Sequence, residues 1–170
     1  MKTLLIMRHA KSDWGAPFEA DHDRPLARRG EKAARLVGRF LTDSGTVPQL
    51  ILSSTALRAH STAALATDAG SWRCPLRTDP NLYAADIENV LDVVAGIEPE
   101  IGCLLIAGHE PTSSMLVSWL IGGGRVGMPT AAVACLDFPH GDWTDLAQGT
   151  CELRWFVTPK MLKLRKSGAG

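Results

Sequence analysis

The chain switches between short unbroken apolar runs and longer stretches in which apolar residues return every three or four positions. Leu4-Leu5-Ile6-Met7, Leu50-Ile51-Leu52 and Cys103-Leu104-Leu105-Ile106-Ala107 are the unbroken kind. They are too short for a membrane span of ~18 residues and suit strands buried on both faces. Between them lie helical periods. Ala33, Leu36, Val37, Phe40 and Leu41 predict an amphipathic helix over 29–41, and a second is expected over 56–68. Ile87, Val90, Leu91, Val94 and Ile97 mark a third, while Met115, Leu116, Trp119 and Leu120 mark a fourth that starts near Pro111. Residues 74–77 give a weak strand, and 131–138 and 150–157 two more, joined by a long hairpin turn. Strand followed by helix, repeated, predicts an α/β fold. We expect a three-layer α/β/α sandwich on a mostly parallel, mixed central sheet.

Composition narrows the class. Hydrophobic residues are 45% and charged residues 21%, and 18 Lys plus Arg balance 18 Asp plus Glu. No global field recommends nucleic acid or membrane as a partner, so any anion site must be local. Cys74, Cys103, Cys135 and Cys151 are widely spaced, which predicts reduced thiols in a cytoplasmic protein rather than a disulfide framework or zinc site. We expect a single domain over 1–160 and a frayed, basic, glycine-containing tail over 161–170. The polar connection over 10–28 reads as a wall or lid, and Asp21-His22-Asp23 within it as a solvated turn rather than metal ligands.

The candidate chemistry sits where strands stop. In a parallel sheet, ligands bind beyond the carboxyl ends of the strands. The first strand ends in Arg8-His9 and the strand over 103–107 in Gly108-His109. The strand over 49–53 leads through Ser53-Ser54-Thr55, suited to capping a helix, to Arg58 in that helix's first turn. A cation at a helix N-terminus makes electrostatic sense when an anion lies between them. Two guanidinium groups and two imidazoles on one edge can surround a phosphoryl group while one imidazole attacks it.

Arg8-His9, Ser53-Ser54-Thr55-Ala56-Leu57-Arg58-Ala59 and Gly108-His109 resemble, in order and separation, the motifs of the histidine phosphatase (phosphoglycerate mutase-like) superfamily. The stretches Met7 to Trp14, Asp23-Arg24-Pro25-Leu26, Pro129-Thr130-Ala131-Ala132 and Phe156-Val157-Thr158-Pro159-Lys160 further resemble its SixA-like phosphohistidine phosphatase branch. The resemblance implies that His9 is the nucleophile and becomes phosphorylated. Arg8 and Arg58 clamp the phosphate, His109 donates to it, and Ser12 joins the substrate-binding set. It implies no metal and no organic cofactor, and a phosphorylated substrate, in particular a phosphohistidine-bearing protein. A phosphatase for a small phosphomonoester and a non-catalytic phosphate- or protein-binding module are the alternatives. Three positions depart from relatives: Ala10 replaces the usual Gly, Glu110 stands where the branch commonly has Asn, and Ala84 where relatives often carry a proton-donating Glu. The general acid is therefore unassigned, with Asp13, Asp86 and Glu110 as candidates.

Overall fold

A computed structural model describes residues 1–167. Six strands form one sheet: β1 (Lys2–Arg8), β2 (Leu50–Ser54), β3 (Leu76–Asp79), β4 (Cys103–Gly108), β5 (Val133–Phe138) and β6 (Glu152–Val157). Their order is β3-β2-β4-β1-β5-β6. The first four in that order run parallel, β5 is antiparallel to β1, and β6 is antiparallel to β5. In the register, Arg8 lies opposite Gly108, and Ser53 opposite Ala107, so β1, β2 and β4 end level with one another.

The unbroken apolar runs are explained by the two layers of helices. On one face Leu4, Ile6, Leu50, Leu52, Leu104 and Ile106 pack against α3 (Ile87–Ala95) and α4 (Thr112–Leu120). On the other, Leu5, Met7, Ile51, Leu105 and Ala107 pack against α1 (Arg28–Asp43), α2 (Leu57–Gly70) and α5 (Pro159–Ser167). Successive side chains of a strand point to opposite faces, so a strand covered on both sides has no position for a polar residue until it emerges at its end. Burial raises the Cys103 thiol to about 12 and the Cys135 and Cys151 thiols to about 11, and all four cysteines are free.

Helices α1 and α2 approach so closely that a Cβ on Gly38 would lie 2.1 Å from the Ala66 carbonyl oxygen. Only glycine permits that contact, and it seats α2, with Arg58 in its first turn, against α1.

The structure differs from the sequence expectation at three places in the fold. The third strand is the short segment Leu76–Asp79, displaced from 74–77. The segment expected to fray is helical as far as Ser167, because Leu162 joins the apolar cluster of that face of the sheet and is buried. The rest of that tail, 168–170, lies outside the described residues. Helix α2 takes Ala56 as its N-cap and has no side-chain cap bond; the Ser54 hydroxyl accepts the Ala56 N–H instead.

Candidate active site

The parallel strands deliver their carboxyl ends to one edge, and the predicted residues meet there. His9 follows β1, Arg58 lies in the first turn of α2 after β2, and His109 follows β4. The two imidazole centroids are 5.2 Å apart. Arg58 and His9 are buried, with 6% and 9% exposure, which is exceptional for groups of this polarity.

His9 is fixed by its neighbours. Its backbone N–H donates to the Gly108 carbonyl at 2.9 Å, and its ring Nδ1 lies 2.7 Å from the Ala10 carbonyl oxygen. A carbonyl only accepts, so Nδ1 carries the proton and Nε2 keeps a bare lone pair. Burial, followed by the charges of Arg58, Arg8 and Arg24, lowers its pKa to about 4, although the Ala10 bond opposes the shift. Burial and the charges of His9, Arg58 and Arg24 likewise bring His109 to about 3. Both rings are therefore neutral near pH 7, as a nucleophile requires.

One hydroxyl links the segment after His9 to Arg58. Thr62 Oγ1, fully buried, donates to the Arg58 carbonyl at 2.6 Å and accepts the Ala10 N–H at 2.9 Å. It thereby ties the end of β1 to the first turn of α2. His109 Nε2 lies 2.8 Å from the Ser54 hydroxyl, which positions the second imidazole over the end of β2.

Three buried side-chain polar atoms among the described residues have no hydrogen-bond partner: Arg8 Nε, Arg58 Nε and His109 Nδ1. Buried donors are normally satisfied, and leaving one unpaired costs ~1–3 kcal/mol. All three lie on residues predicted to hold phosphate. Each guanidinium Nε can only donate, and His109 Nδ1 is a donor when Ser54 donates to Nε2 and leaves the proton on Nδ1, so these orphans suit an anionic ligand at this edge.

The remaining candidates are engaged elsewhere. The Ser12 hydroxyl is taken by Arg24 Nη1. The Glu110 carboxylate accepts the N–H and hydroxyl of Ser114, at 3.0 and 2.6 Å, so it turns away to cap the start of α4. Asp86 caps α3 through Asn89, and Asp13 accepts the Gly15 N–H. Ala84 lies at φ 53, on the rim of a cleft of about 460 Å³ that opens beside His109 between α3 and α4 and is walled by Leu82, Ile87, Ile106 and Leu116.

Asp21-His22-Asp23 is an exposed turn, as expected, but it has partners in the site. It forms a single 3-10 turn folded back over the site. Asp21 bonds Arg58 and Arg24, and His22 lies 3.0 Å from the Thr55 hydroxyl with its ring edge-on to Tyr83. Arg24, 6% exposed and stacked 3.7 Å from the Trp14 ring, is the site residue that the sequence reading gave no role. Its signal was an arginine set immediately before Pro25 and the buried Leu26. Hydrogen bonds from Arg24 and the charges of Arg58 and Arg24 outweigh the effect of burial and hold the Asp21 carboxyl below the usual range.

Comparison with known proteins places the chain in a family. The family model of the histidine phosphatase superfamily (branch 1) matches residues 4–90. The chain is 36% identical over 166 residues to the uncharacterized protein ML1117 of Mycobacterium leprae, covering 91% of this chain and 100% of that one. It is 30% identical over 159 residues to an uncharacterized chloroplastic protein of Arabidopsis thaliana, covering 85% and 70%. Among solved structures, SixA of Agrobacterium tumefaciens superposes with a TM-score of 0.79 at 29% identity, covering 93% of this chain and 98% of that one. The protein histidine phosphatase SixA complexed with tungstate gives 0.81 at 24% identity, covering 94% and 99%, a likeness of fold. An edge that brings two histidines and two arginines together on this fold, in a chain so related, belongs to a phosphatase: the protein is a member of the histidine phosphatase superfamily, branch 1.

Proposed function

We propose that this enzyme removes phosphate from phosphohistidine on a partner protein, with His9 as the transient acceptor. The observation that carries the reading is that the three buried side-chain polar atoms without a partner among the described residues lie on Arg8, Arg58 and His109, beside a His9 whose Nε2 keeps a bare lone pair. In the first step Nε2 attacks phosphorus, the bond from phosphorus to the substrate nitrogen breaks, and imidazole leaves with the electron pair. In the second, water attacks phosphorus, the bond to Nε2 breaks, and the pair returns to His9 while the proton from water departs with inorganic phosphate. Arg8, Arg58 and His109 hold the charged equatorial oxygens through both steps.

The choice of leaving group follows from the carboxylates. Asp13, Asp86 and Glu110 are held by backbone or hydroxyl partners, and Asp21 is kept ionised by two arginines. None is arranged to give a proton to a departing alkoxide. Imidazole protonated on its other nitrogen leaves as a neutral molecule and needs no such donor. A small phosphomonoester with an apolar body is the second reading, favoured by the cleft beside His109.

Rapid quenching with a labelled phosphohistidine protein tests the proposal. An acid-labile, base-stable label is expected on the His9 peptide and absent from His9→Ala. A label that persists in that variant overturns the role of His9. Faster turnover of alkyl phosphates than of phosphohistidine overturns the substrate.

A further inference from the structure

A second cavity, about 550 Å³, opens on the side of Arg8 away from the cleft beside His109, between α1, α5 and the segment at 129–130. Arg8, Lys11, Arg29, Lys160 and Lys163 line it, and among the described residues no carboxylate does. The whole chain has a formal net charge of zero, so five cations around one groove are a local concentration rather than a sample of the surface. Among the described residues, no ion pair engages Lys11, Arg29 or Lys160. Crowded like charges repel in the folded state, and an anionic ligand relieves that repulsion.

The groove borders the catalytic centre, because Arg8 and Lys11 flank His9 along the chain. Its chemistry suits an extended anion more than a compact one. Three of the five cations are lysines, point charges on flexible stems, and Pro159 at the start of α5 presents no N–H to a phosphate. A compact polyphosphate calls for convergent forks or backbone N–H groups, whereas carboxylates spread along a polypeptide are met by mobile lysines. Resting on the phosphohistidine reading, we infer that this groove receives an acidic segment of the phosphorylated partner, lying beside its phosphohistidine.

The test uses two synthetic phosphohistidine peptides that differ only in flanking Glu or Gln. Binding is measured on His9→Ala, with and without Arg29→Gln/Lys160→Gln, and turnover on the corresponding active chains. At low salt the Glu-flanked peptide is expected to bind about tenfold tighter, an advantage lost in the double variant and at high salt. Turnover of p-nitrophenyl phosphate should be unchanged by the double variant. Equal binding of the two peptides, or an advantage that survives the double variant, overturns the inference. So does a result in which inorganic tripolyphosphate needs Arg29 and Lys160 while the Glu peptide gains nothing. Preferential binding of the Glu peptide without its dephosphorylation leaves the groove standing and removes the phosphohistidine reading instead.

Discussion

Asp21 holds both terminal nitrogens of Arg58: its carbonyl oxygen accepts from Nη1 at 2.6 Å and its carboxylate from Nη2 at 2.9 Å. A phosphoryl group at His9 must share Arg58 with that carboxylate. Two like charges ~4 Å apart near a protein surface repel by ~4 kcal/mol, more than the ~1.5–3 kcal/mol of one charge-assisted hydrogen bond. In Asp21→Asn the carbonyl contact remains and the repulsion goes. Inorganic phosphate should then inhibit about tenfold more tightly. A weaker inhibition constant in competition assays would mean that the carboxylate serves chiefly to aim Arg58.

The two imidazoles make stability depend on pH in a defined window. Their folded pKa values, about 4 for His9 and about 3 for His109, lie below the ordinary 6.5. Between about 6.5 and about 4 the unfolded chain binds protons that the folded chain refuses, so stability is complete above the window and falls as pH drops through it. The denaturant midpoint should decline between about pH 7 and about pH 5, and decline less in His9→Gln. Ring resonances of His9 and His109 that titrate near 6.5 would contradict this.

Ala84 sets a leaving-group preference. Its φ of 53 is left-handed, and it lines the same cleft as His109, where the proposed function puts the departing group. Glu is no worse than Ala for that backbone, so Ala84→Glu adds a carboxyl without a new conformational cost. General acid catalysis is typically worth 10² to 10⁴ in rate, so the variant should raise alkyl phosphate hydrolysis by ~10²-fold and leave phosphohistidine nearly unchanged. The check is a plot of kcat/KM against leaving-group pKa. A flat plot for the wild type would show that a proton is already supplied.

Gly38→Ala should destabilise the fold by more than ~1–3 kcal/mol, the usual penalty of overpacking, because its Cβ meets a backbone oxygen that cannot swing aside. Thermal unfolding measures the loss. A change within ~0.5 kcal/mol would mean that α1 and α2 separate freely, and that Arg58 is seated by other contacts.

Strand ends were legible because burial on both faces leaves a polar residue nowhere else to go, which made Arg8, His9 and His109 conspicuous. Arg58 stood out as a cation at the positive end of a helix. The loop over 10–28 was not legible in the same way. It has no period, and the ion pairs of Asp21 and Arg24 join residues whose meeting depends on how the loop folds over α2. The Glu110 carboxylate was a candidate acid because it adjoins His109 in sequence, and what sequence adjacency does not show is that the start of α4 draws it to Ser114. The helix over 159–167 was hidden by its charge, since one buried leucine suffices to dock a surface helix that sequence pattern alone reads as a tail.

Active sites are commonly where a protein trades stability for function. Thr62 is an exception to that conflict. Its hydroxyl satisfies two buried backbone groups, the Ala10 N–H and the Arg58 carbonyl, and the same two bonds tie the segment after His9 to Arg58. Selection for a sturdier fold and selection for a faster enzyme therefore press in the same direction at this position. Improvement of either property can leave Thr62 untouched, while the tension between them is concentrated across the site, at the carboxylate of Asp21.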